Sequence, residues 1–337
     1  MTKAVTGVLI VSLMLSRVQL IDTWGDYWAN VANDGSVFYF HTNSGGADKY
    51  KIVKFDLANP AAGFTDVVAH NPDALLESYH VFDNDKLLVK YSIDVKHELH
   101  LFDLATGDKR GRVGADLLGT VGQISGRRED NEFWFTMASF TNPTTVYRWQ
   151  AGNGKGEELS TFRQTVVPGI VADDFITEQV WYKSKDGTKV PMFVVRPKEV
   201  KLDGTAPAIQ YGYGGFSISV EAAFRPAVLT FIKHFGGVYA QPNLRGGGEF
   251  GESWHEAGTK ERKQNVFDDF HAAAEWLIEH KYVAKDKLAI NGGSNGGLLV
   301  GACVNQRPEL YSAALAEVGV LDVSGPLSLA FFLPPSS

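Results

Sequence analysis

The sequence predicts an all-β repeat region followed by an α/β unit with an incomplete, parallel-rich sheet. Three observations predict it. A pair of strands ending in an aromatic triplet recurs three times in the first half, strands alternate with helical patterns from about Val171, and a Gly-x-Ser-x-Gly sequence lies between a strand and a helical pattern. At 337 residues the chain has room for two domains of roughly 100–200 residues each.

The repeats begin at Val37-Phe38-Tyr39-Phe40, Leu87-Leu88-Val89-Lys90 and Phe133-Trp134-Phe135-Thr136. Each continues through a short polar turn into a second strand, closing on Phe55-Asp56-Leu57, Phe102-Asp103-Leu104 or Tyr147-Arg148-Trp149. The aromatic positions Phe55, Phe102 and Trp149 are evenly spaced. A repeat of about 40–50 residues made only of short strands matches one blade of a β-propeller, so about three blades are expected. A chance run of hairpins in a sandwich is the competing reading.

In the second half, Val180-Trp181-Tyr182 and Val190–Val195 flank Lys185-Asp186-Gly187-Thr188, an Asp-Gly hairpin signal. Ala206–Gln210 and Val238–Ala240 read as short buried strands running into Gly-rich loops. Val266, Phe270, Ala273 and Leu277 share one helical face between Asn265 and His280, and Asn265, Asp268 and Asp269 offer a first turn suited to the helix dipole. Leu288–Ile290 gives a strand, Gly297–Val304 a helix and Ala313–Val320 a further strand. This alternation implies a parallel sheet.

Gly292-Gly293-Ser294-Asn295-Gly296 fits a nucleophile elbow, in which glycines flank a strained turn that projects the serine. The structural alternative is a plain glycine turn. Two other glycine-rich loops each follow a predicted strand, and loops leaving the carboxyl ends of strands line the site of an open α/β sheet. They are Tyr211-Gly212-Tyr213-Gly214-Gly215-Phe216 and Asn243-Leu244-Arg245-Gly246-Gly247-Gly248-Glu249-Phe250-Gly251. The first brings a phenol, Tyr213, to where an oxyanion could be met, with the backbone N–H of Asn295 as second donor.

These two loops and the phrase Gly-Gly-Ser-Asn-Gly-Gly-Leu-Leu-Val together resemble the prolyl oligopeptidase family of serine peptidases, from about Val18 to Val323. The resemblance implies an α/β-hydrolase domain preceded by a partial propeller. It divides the chain into an atypical segment 1–17, a propeller part 18–168, a partial catalytic domain 169–323 and an atypical tail 324–337. It implies Ser294 as nucleophile, Tyr213 and Asn295 as the oxyanion hole, and Phe216, Val318 and Val320 as lining for a proline ring. Without it, those last three read as core packing. It further implies an endopeptidase cutting short peptides after proline by an acyl-enzyme, with neither cofactor nor metal and no obligate protein partner.

In this superfamily an aspartate and then a histidine follow the serine. Residues 295–337 contain no histidine, and Asp322 is the one aspartate among them. Among the upstream histidines His255 is the least implausible substitute, and the resemblance gives its loop a structural role. His97 and His100 lie three apart in a predicted strand, which points them to opposite faces and argues against a metal pair. The chain is therefore expected to be truncated at both ends and inactive as given, with poor solubility from an open strand edge at Ala313–Val320. A non-catalytic product that binds peptides or partners through the propeller is the alternative.

Composition narrows the classes further. With 44% hydrophobic and 21% charged residues the chain belongs with folded rather than disordered proteins. A net charge of −7 without a Lys/Arg run argues against a nucleic-acid partner. Cys303 is the sole cysteine, which removes intrachain disulfides and Cys-rich metal sites and favours a reducing compartment, and the resemblance implies the cytoplasm. The apolar run Gly7–Leu15 behind Lys3 resembles a short signal-peptide core and is too short for a membrane span; a buried strand or a misjudged start site is the preferred reading, a signal peptide the minor one.

Overall fold

The computed structural model describes residues 9–13, 16–21, 25–152 and 157–321; Lys3, Asp322 and the tail 324–337 lie outside them. Strands β1 (Leu9–Leu13) and β2 (Ser16–Ile21) form an antiparallel pair, so much of the apolar N-terminal run is strand. No helix among the described residues is long and apolar enough to cross a membrane. The fold divides into two compact units. One comprises Met1–Pro168, Glu221–Phe224 and Glu249–Ser253, the other Gly169–Val220, Arg225–Gly248 and Trp254–Ser337.

The first unit holds three four-stranded antiparallel sheets, each one blade. Blade 1 is β3 (Trp28–Asp34), β4 (Val37–Thr42), β5 (Lys51–Asp56) and β6 (Thr65–Val68). Blade 2 is β7 (Leu75–Phe82), β8 (Lys86–Ile93), β9 (Lys96–Asp103) and β10 (Lys109–Val113). Blade 3 is β11 (Thr120–Ser125), β12 (Glu132–Ala138), β13 (Thr145–Gln150) and β14 (Glu158–Gln164). The repeat read from sequence is the central pair of each blade. Phe38 pairs with Phe55, Leu87 with Phe102 and Phe133 with Trp149, the same register each time.

Strand β8 shows why these strands carry continuous apolar runs. Leu87 and Val89 pack in one core with Tyr39, Ile52 and Leu76, while Leu88 packs in another with Phe133, Phe135 and Trp149. Its two faces therefore each meet a neighbouring blade. Strand β14, at the far side of blade 3, is almost wholly exposed, with Phe162 65% accessible.

His41 of β4 is buried among Tyr27, Tyr50 and Tyr79, with ring centroids 5.5, 4.8 and 5.3 Å away, and its Nε2–H donates to the Leu76 carbonyl at 3.2 Å. Burial lowers its pKa from the model-peptide 6.5 to about 4, outweighing that carbonyl. The unfolded chain then binds the proton first as pH falls. The stabilisation is full above about pH 6.5 and lost progressively towards pH 4, by up to about 3 kcal/mol. Urea unfolding of wild type and His41→Gln at pH 7 and pH 4 should show the smaller acid loss in the variant; equal losses would exclude His41 as the cause.

The second unit is built on a six-stranded sheet in the order β15-β16-β18-β17-β19-β20. Its strands are β15 (Phe175–Lys183), β16 (Lys189–Pro197), β17 (Ala208–Tyr211), β18 (Val238–Pro242), β19 (Leu288–Gly293) and β20 (Ala313–Glu317). The first two pairings are antiparallel and the remaining three parallel. Helices α1 (Pro226–Phe235), α2 (Glu252–Glu256), α3 (Gln264–Glu279) and α4 (Asn295–Gln306) follow in chain order. Val266, Phe270, Ala273 and Leu277 of α3 are fully buried with Leu299, Val300 and Cys303 of α4 against Val194, Ala240, Leu288 and Ile290 of the sheet.

Two expectations need correction. Helix α3 begins at Gln264 with Lys263 as N-cap, so Asp268 and Asp269 lie in its second turn and not at the dipole. Asp269 faces inward instead, where it meets Arg245 at 2.6 Å. Strand β20 ends at Glu317 rather than Val320, because Val318 takes a positive φ of 45° that no strand accommodates. All five β20 residues are exposed.

Candidate active site

Ser294 stands at the carboxyl end of β19, immediately before α4. Its φ of 57° and ψ of −115° lie outside the regions where a side chain rests without strain, and the residue is exposed. The bend is held by the Ser294 N–H donating to the Glu317 carbonyl of β20 at 2.9 Å. A Cβ on Gly292 would come within 2.4 Å of the Gly296 carbonyl oxygen, and one on Gly296 within 2.5 Å of that of Gly212. Both glycines are therefore dictated by close backbone approach, as an elbow requires and an ordinary loop does not.

The loop after β17 crosses beside this bend. Gly214 (φ 60°), Phe216 (57°) and Ser217 (55°) all have positive φ, two of them non-glycine, so the loop is strained where it passes the serine. The Asn295 amide donates to the Tyr213 carbonyl, and a Cβ on Gly215 would lie 2.6 Å from that amide nitrogen. Tyr213 is half-buried and Asn295 buried. The backbone N–H of Asn295 belongs to the first turn of α4, where N–H groups lack intrahelical acceptors and the dipole favours negative charge. A negative charge placed there meets favourable potential.

Phe216, Val318 and Val320 are 44%, 85% and 63% exposed, so the core-packing reading of these three does not hold. They sit on segments leaving the carboxyl ends of β17 and β20, the strands on either side of β19. His255 is pinned elsewhere: its Nδ1 lies 2.8 Å from the Gly246 carbonyl and 3.0 Å from the Ser217 N–H, joining the two glycine-rich loops.

Arg245, from the second of those loops, is held by a network the sequence did not reveal. Its guanidinium donates to Asp269, to Asp186 at 2.5 Å and to the Ser184 hydroxyl at 3.2 Å. Lys263 is the other residue missed. Its ammonium donates to the Gly214 carbonyl at 2.9 Å and to Asn295 Oδ1 at 3.2 Å. A cation at a helix N-cap opposes the dipole, and that mismatch was the signal available in the sequence.

One grouping in the first unit has the residue types of a metal site: Glu77, His97 and Glu221. His97 Nδ1 accepts the Val121 N–H at 2.9 Å, which leaves its proton on Nε2, aimed at Glu77 (3.2 Å) and Glu221 (3.3 Å). Lys90 already neutralises Glu77 at 2.8 Å. Ion pairing of the two carboxylates with Lys90 and His97 accounts for these contacts without a metal cation.

The family model described as "Prolyl oligopeptidase, N-terminal beta-propeller domain" matches residues 16–161, and the model "Prolyl oligopeptidase family" matches residues 222–329. The chain belongs to the prolyl oligopeptidase family. Prolyl oligopeptidase ophP of Omphalotus olearius is 49% identical over 304 residues, covering 90% of this chain and 40% of that protein. The dual function macrocyclase-peptidase POPB of Amanita bisporigera is 43% identical over 90% of this chain and 42% of its own length. Prolyl oligopeptidase B of Galerina marginata, solved with a 35mer hydrolysis and macrocyclization substrate, superimposes with a TM-score of 0.87 at 40% identity, over 91% of this chain and 43% of that one. The chain thus spans about two fifths of the length of these prolyl oligopeptidases.

Proposed function

We propose that the chain carries the nucleophile and oxyanion hole of a serine-type endopeptidase that cleaves short peptides on the carboxyl side of proline. The observation that carries this reading is the strained, exposed Ser294 at the carboxyl end of β19, with the Tyr213 loop beside it. Ser294 Oγ attacks the peptide carbonyl, whose oxygen is received by the Tyr213 phenol and the Asn295 N–H. The carbonyl then re-forms as the C–N bond breaks, the amine leaving with the proton that the acceptor took from the Ser294 hydroxyl, and the acyl-enzyme is resolved by water. An amine in place of water would give a new peptide bond, and some relatives are named macrocyclase-peptidases. Phe216, Val318 and Val320, exposed along the same edge of the sheet, would receive the proline ring.

The proton acceptor of this mechanism is not among the 337 residues, since residues 295–337 contain no histidine. The chain by itself is therefore inactive, and short proline-containing peptides are substrates of the longer form only. A pair of peptides differing only as proline or alanine at one position tests the specificity. Protein extended through the family's remaining C-terminal region should cut the first alone, after the proline. Equal cutting of both would refute the proline pocket.

A further inference from the structure

The side chain that joins the two halves of the oxyanion hole has no part in the reaction as described above. Lys263 Nζ donates at once to the Gly214 carbonyl, one residue beyond Tyr213, and to the Asn295 side-chain oxygen, one residue beyond Ser294. The nitrogen of the same Asn295 amide donates back to the Tyr213 carbonyl, closing a ring of three contacts between loop and elbow. The ammonium is partly buried, and burial lowers its pKa with no carboxylate acting against it. It also occupies the N-cap of α3, where the dipole disfavours it. A cation retained against both costs is held by what it touches.

We propose that Lys263 is a positioning residue for the oxyanion hole, holding the Tyr213 loop against the Ser294 elbow so that phenol and backbone N–H address one oxygen. This rests on the preceding reading of Ser294, Tyr213 and Asn295. The loop bears three positive-φ residues, and without the ammonium its ties to the elbow are the Asn295 amide contact and, one residue before Tyr213, the Gly212 N–H bond to the Asn291 carbonyl.

The test compares an N-blocked prolyl aldehyde with the matching prolyl alcohol, by calorimetry on the purified 337-residue chain. The serine oxygen adds to the aldehyde carbon, the carbonyl π pair moves to oxygen and the hydroxyl proton ends on that oxygen, so no general base is consumed. Aldehyde preference over alcohol therefore reports the nucleophile and the hole. Wild type should prefer the aldehyde and Ser294→Ala should not. Lys263→Met should cut the preference about ten- to a hundred-fold, less than the loss of a direct oxyanion donor. Its affinity for the alcohol should be nearly unchanged, and Lys263→Arg should recover part of the preference.

An unchanged preference in Lys263→Met, with the loss confined to Ser294→Ala, overturns the proposal and leaves the reading of the serine intact. Equal weakening of both ligands overturns it too, because the lysine would then only support the fold. If wild type shows no aldehyde preference, the reading of Ser294 itself falls and takes the proposal with it. Should Lys263→Met fail to fold, Lys263→Gln against Lys263→Arg decides by the same criterion.

Discussion

Extending the chain through the family's remaining C-terminal region is expected to raise cleavage of a chromogenic proline peptide by at least about 10⁴-fold over the 337 residues alone. A serine hydroxyl is a poor nucleophile at neutral pH unless an imidazole takes its proton, and an aspartate has to hold that imidazole in the right tautomer. Here the strained Ser294 bend stands beside the Tyr213 loop, while residues 295–337 supply no histidine. His255, the least implausible substitute, is tied to Gly246 and Ser217. What remains is binding and oxyanion stabilisation, the residue left when a triad is removed, and a factor of 10⁴ corresponds to about 5.4 kcal/mol of transition-state stabilisation. Turnover by the 337 residues within tenfold of the longer protein would mean that a base is already present.

Asp269→Ala is expected to cost about 3–5 kcal/mol of stability in the second unit, the range for breaking a buried ion pair from one side. Asp269 is wholly inaccessible and Arg245 nearly so, and the guanidinium donates to both carboxylate oxygens. Asp186, held near a pKa of about 2 by Arg245 and Thr188 although burial opposes it, lies at the surface side and cannot replace the lost partner. The same substitution removes a backbone tie between the Gly-rich loop 243–251 and α3, because the Arg245 backbone N–H also donates to Asp269 at 3.1 Å. Denaturant unfolding of wild type and variant measures the loss; a difference below 1 kcal/mol would show that solvent or Asp186 compensates.

The parts of this fold legible in sequence are those fixed by local constraint. Central blade strands are covered on both faces, so Leu87-Leu88-Val89 reads as a continuous apolar run. Outer strands leave no such trace, since β14 is almost wholly exposed and β6 half so. The elbow was legible because two backbones approach too closely at Gly292 and Gly296 for any side chain, a demand that falls on single residues. Asp269 was misread because its partner is 24 residues away and helix position alone suggested the dipole. The end of β20 was misplaced for a related reason: Val-Gly-Val has strand character, yet Val318 turns out of the sheet where Gly319 packs against Gly297. Lys263 was passed over since a lone lysine before a helix is ordinarily a solvated charge.

Treatment of the purified chain with a fluorophosphonate, followed by mass-spectrometric mapping, probes the nucleophile most directly. The account predicts a single adduct on Ser294 that accumulates slowly and disappears in Ser294→Ala. Modification of another residue with Ser294 untouched would contradict the assignment of the nucleophile, and labelling as fast as that of a complete serine peptidase would contradict the missing base.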